Sequence, residues 1–124
     1  MISGHHREKA AHIEAAMKKL TVADYEAVIE AAMLAGTHWF NSALDAMKLT
    51  AVDADVMHAQ YLAGDLRLKI SLVAPAMLNA LDEIEMLRPR FVRGNVAGGE
   101  EAARRALALL ETIRQTAASV RTFK

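Results

Sequence analysis

From Leu66 to Phe91, apolar side chains recur at alternating steps of four and three: Leu66, Ile70, Val73, Met77, Ala80, Ile84, Leu87 and Phe91. At 3.6 residues per turn these positions share one face of a helix, a seam suited to antiparallel packing on another helix. A half-buried strand would alternate by two instead. Pro75 falls inside the seam and has no amide hydrogen to give. Either the helix kinks there, or a new helix starts with Pro75 in its first turn. Pro89 ends or bends the regular part.

The same spacing recurs elsewhere. Ala10, Ile13, Met17 and Leu20 predict a first helix from about His5 to Leu20. Thr21 and Asp24 form a capping-box-like pair that opens a second helix, Val22 to about Leu49. Its inner stripe is Tyr25, Ile29, Ala32, Gly36, Trp39, Ala43 and Met47. Glycine in a helix interior costs about 1 kcal/mol against alanine, so Gly36 implies a kink or a close helix approach. In the connector Thr50 to Gly64, Asp53 or Asp55 can cap a short helix holding Val56, Met57, His58 and Tyr61. Gly94 to Gly99 reads as a loop, after which Glu100 and Glu101 suit a helix N-terminus. Ala103, Ala106, Leu110, Ile113, Ala117 and Val120 stripe that last helix, and the tail frays after Thr122. The expected fold is all-α, one domain over 1–124: an antiparallel up-down bundle of four long helices plus a short connector helix.

Composition narrows the function classes. The chain is 53% hydrophobic but only 5% aromatic, and its 15 basic and 15 acidic residues cancel. Zero net charge gives no global attraction to nucleic acid or an anionic membrane. So much apolar content on a near-neutral bundle favours self-association, with a homodimer expected and a protein partner as the alternative. Without cysteine there are no disulfides, thiolate metal sites or thiol nucleophiles. No apolar run resembles a signal peptide or membrane span, so a cytoplasmic protein is expected.

Candidate chemistry is sparse. Arg88, Arg90 and Arg93 surround Phe91 at the end of the third helix. Guanidinium groups there could hold phosphates of RNA or a nucleotide, with Phe91 as a stacking face. The competing reading puts cations at a helix C-terminus, Phe91 in the seam, and Glu83 and Glu85 as ion-pair partners. Asp55 and His58, three apart, are the metal-ligand candidates, but a di-iron-type bundle needs a second such pair and none exists. His38, beside Trp39 and Phe40, lacks a sequence-evident nucleophile or orienting group. No catalytic residue and no cofactor is expected.

Several segments together resemble the HEPN helical domains of prokaryotes. Val22-Ala23-Asp24-Tyr25-Glu26-Ala27 with Ala31, Ala32 and Ala35 is similar to the start of the family's second, alanine-rich helix. Val56-Met57-His58, Ile84-Glu85-Met86-Leu87-Arg88 and the helix Glu100 to Thr116 resemble later elements. The family's ribonucleases carry an arginine, four to six residues, then a histidine on a late helix. Here Arg93 stands where that histidine would be, and no histidine follows His58. Arginine stays protonated and cannot act as a base, so the resemblance implies a non-catalytic member in which Arg88 alone transfers, as a phosphate contact. Arg7 to His12 matches the bare spacing but lies on the first helix.

Overall fold

The computed structural model describes residues 1–62 and 64–120. Five α-helices run Ser3–Met17 (α1), Tyr25–Ala46 (α2), Gly64–Val73 (α3), Pro75–Leu87 (α4) and Gly99–Ser119 (α5). Among the described residues there is no strand. The tail after Thr122 lies outside them.

Contacts fix the directions. Ser3 bonds Ser42 while His6 bonds His38, so α1 runs antiparallel to α2. Leu81 lies by Gly36 and Arg88 reaches back to Glu30, so α4 is also antiparallel to α2. Tyr25 packs on Gly99, and Gly36 on Leu110 and Ile113, so α2 and α5 run parallel. The order is up-down, with the α2–α5 diagonal in direct contact. Gly36 permits this. A Cβ there would lie 3.2 Å from Ile113 Cδ1 and 3.6 Å from Leu81 Cδ1, inside ordinary contact for the first. Gly36 is therefore a close-approach point at which α2 meets α4 and α5.

That diagonal leaves two apolar clusters. One, with Phe40, Leu44, Ile70, Met77, Leu81, Ile84 and Ile113, lies toward α4. The other, with Met17, Ile29, Ala32, Ala106, Leu110 and Phe91, lies toward α1.

Boundaries follow local chemistry. Thr21 and Asp24 do form a capping box, over a short 3-10 turn, Val22–Asp24, that leads into α2. The first helix stops at Met17, short of Leu20, in tight turns from Lys19 N–H to Ala16 and Leu20 N–H to Met17. The second stops at Ala46, because Lys48 adopts the left-handed region at φ 60°. Pro75 starts a new helix, so the seam is carried by two helices joined through Ala74. Val73, beside that break, is the seam residue that fails to go inward, at 58% exposed.

Among its described residues, the connector holds only a 3-10 turn, Ala59–Tyr61, with no side-chain cap. Neither aspartate caps it: Asp53 is exposed and Asp55 is engaged elsewhere. Three side chains pin this irregular segment to the bundle. Asn41 receives the Val56 N–H and donates to the Val56 carbonyl, both at 2.7 Å. Buried Glu85 accepts from Ala59 N–H at 2.8 Å and Gln60 N–H at 3.2 Å. Arg67 donates to the Ala59 carbonyl at 2.9 Å. Each buried backbone group so paired avoids the cost of lost hydration.

Candidate functional site

The arginine-rich end of α4 continues as one widened turn, Arg88–Val92, closed by Arg93 N–H to the Arg88 carbonyl at 3.0 Å. Pro89 supplies no amide to an ordinary helical bond, which favours the wider turn. Gly94 ends it, where a Cβ would meet the Arg90 and Pro89 carbonyls at 2.7 and 2.8 Å.

The four candidate residues split here. Arg88 pairs with Glu30 at 2.6 Å, across on α2. The expected partners Glu83 and Glu85 are committed elsewhere. Glu83 forks with exposed Arg105 at 2.5 and 2.8 Å, and this pairing holds its carboxyl below the usual range. Glu85 faces inward onto the connector. Phe91 is 8% exposed and belongs to the α1-side cluster. It is no stacking platform for a base; its remaining face lies under the Arg90 guanidinium, 5.1 Å from the ring centre. Arg90 and Arg93 are exposed and, among the described residues, have no carboxylate within ion-pair distance.

Asp55 and His58 do not assemble into a metal site. The chain at His58 is extended, at φ −144° and ψ 131°, so a three-residue step does not put both on one face. Asp55 bonds His6, and His58 Nδ1 meets Glu85 Oε1 at 3.2 Å. Among the described residues, no three histidine, aspartate or glutamate side chains converge as a metal would require.

A different polar cluster is built at the junction of α1, α2 and the connector. His6, 2% exposed, uses both ring nitrogens: Nδ1 faces His38 Nδ1 at 2.9 Å and Nε2 faces Asp55 Oδ1 at 2.9 Å. The amino group of Met1 lies 3.2 Å from Asp55 Oδ2. With Asp55 ionised, His6 Nε2–H donates to the carboxylate and its Nδ1 accepts from His38 Nδ1–H. Burial lowers the His38 pKa below 6.5, helped by His6 and Lys9 and opposed by Asp55. Burial pushes Asp55 up, but the His6 hydrogen bond and the Met1 amino group outweigh it and hold the carboxyl below 3.8. The array can relay a proton. Among the described residues, no serine, threonine or cysteine is bonded to it.

His38 thus has the orienting partner that its neighbourhood in sequence did not reveal. His6 was missed, yet it sits four residues before Ala10, on the same inward stripe as Ile13 and Met17. Arg7 and His12 are both exposed on α1. No family model, curated protein or solved structure matches the chain. Among the described residues, no helix is long and apolar enough to cross a membrane.

Proposed function

We propose that this chain is a non-catalytic, HEPN-like helical bundle that works by self-association, as a homodimer, or by binding a protein partner in the cytoplasm. The observation that carries this reading is the outer face of α3. Leu68 and Leu72, one turn apart, are 59% and 74% exposed, while Ile70 is the one buried side chain of the ten-residue helix. A short helix that shows water more leucine than it hides supports a covered surface in the working protein. A two-fold contact through α3 would bury both copies of the patch at once.

Light scattering across a size-exclusion peak tests it. Dimer mass at micromolar concentration, lost in Leu72→Glu with helical content retained, is the expected result. A strict monomer at several hundred micromolar would overturn self-association and leave capture of a partner as the form to test.

One observation favours a second reading, binding of RNA or a nucleotide: Arg90 and Arg93 reach solvent without carboxylate partners. It requires salt-sensitive binding that weakens when both become alanine. It must do without Phe91 as a stacking face. A metal-binding bundle gains no support from the placement of Asp55 and His58.

A further inference from the structure

We propose that α1 is a proton-released clasp, held on the bundle while the His6–His38 pair carries at most one proton and freed when the pair takes a second. Two ring nitrogens that face each other at 2.9 Å can share one hydrogen. With no extra proton, His38 Nδ1–H donates to His6 Nδ1. With one, His6 becomes the cation beside Asp55, donates from Nδ1, and His38 accepts. Either way the 2.9 Å contact keeps one hydrogen. With two, both Nδ1 atoms carry hydrogens aimed at each other and the contact is lost. Asp55 can neutralise only one of the two cations.

The charged groups around the pair sharpen this. From α1, Lys9 adds a like charge toward His38, and from the connector Asp55 adds the opposite one. Asp55 itself faces His6 and the Met1 amino group. Nearby on α2, Asp45 takes the Ser3 N–H at 2.7 Å. Among the described residues, His38 Nε2 has no partner, yet no buried side-chain nitrogen or oxygen is unpaired there. That nitrogen therefore reaches solvent and gives the second proton a way in.

Losing the contact matters because α1 has little else inside. Its buried side chains are His6, Ala10 and Met17. Ile13 and Met17 pack on the α1-side apolar cluster, and its remaining ties are polar: Ser3 to Ser42 and Asp45, and Glu14 to Trp39 Nε1–H at 2.7 Å. Of these ties, the histidine pair is the one built from side chains that ordinarily change charge between pH 5 and 7. The released pair binds two protons near pH 6.5 and the docked pair does not. Docking is therefore fully favoured above that pH and lost as pH falls below it.

Trp39, the single tryptophan, reports the state of α1 through its bond to Glu14. The full chain is titrated from pH 7.5 to 5.0, reading Trp39 emission and amide exchange of α1 relative to α5. The expected result is a red shift, with α1 exchange rising toward tenfold per pH unit below about 6, the limit for one proton. His38→Gln offers a donor or acceptor at every pH and cannot take the second proton, so its profile is expected to be flat. A flat wild-type profile, or the same slope in His38→Gln, overturns the clasp. Should that variant fail to dock α1 at all, imidazole nitrogen NMR of the wild type decides: two imidazolium rings with α1 still docked overturns it, and one sustains it.

Discussion

Asn41→Leu keeps a side chain of similar size on α2 and deletes one amide, which makes its cost calculable. The residue is 2% exposed, and Val56, whose backbone it pairs, is 8% exposed. After substitution the Val56 N–H and carbonyl both lie against apolar atoms with no partner. Leaving a buried donor or acceptor unsatisfied costs roughly 1–3 kcal/mol each. The Thr37 carbonyl, which also receives Asn41 Nδ2–H at 2.9 Å, keeps its helical bond and adds little. Burying the leucine methyls returns about 1 kcal/mol. The balance is a loss of about 1–5 kcal/mol, whose middle is on the order of 10 °C in midpoint for a domain of this size. Urea unfolding followed by far-ultraviolet circular dichroism measures it. A loss under about 1 kcal/mol would refute the claim that Asn41 anchors the connector, because two orphaned buried groups cannot cost so little.

Gly36→Leu places a large side chain where even a Cβ crowds Ile113, so the α2–α5 diagonal must open; a loss of about 3 kcal/mol or more is expected in the same assay. Asp55, whose carboxyl is held below its ordinary 3.8, adds stability that is present above about pH 4 and lost as pH falls through its folded value. Between pH 4.5 and 2.5 the urea midpoint of the wild type should therefore fall more steeply than that of Asp55→Asn; parallel curves would contradict the His6–Asp55 bond.

The helices were legible because their cause is local. Stripes at steps of three and four placed Ala10, Ile29, Met77, Ile84, Leu110 and Ile113 inside, and the structure buries all six. Extending the first stripe back four residues would have pointed His6 inward as well. The arginine pairing was misjudged in part for a local reason. Glu83 stands five residues before Arg88, too far around a helix to face it, while Glu85, three before, shares the inward face with Leu81 and Ile84. The actual partner, Glu30, is set by how α2 and α4 cross, which no short window contains. The connector is the same case. Its shape is held by Asn41, Glu85 and Arg67, each bonding backbone groups whose side chains carry no matching pattern.

The junction at Ala74 has a mechanical meaning. Ala74 N–H still closes α3 on Ile70, and its carbonyl already opens α4 toward Leu78, but Pro75 gives nothing back to Ser71. The two helices therefore meet at an articulated joint, where a continuous rod would transmit every twist. Any turn of α3 about that joint would lift Ile70 out of the cluster it shares with Met77, Leu81 and Ile84 and part Arg67 from Asp82, so the limb is hinged yet latched to the trunk.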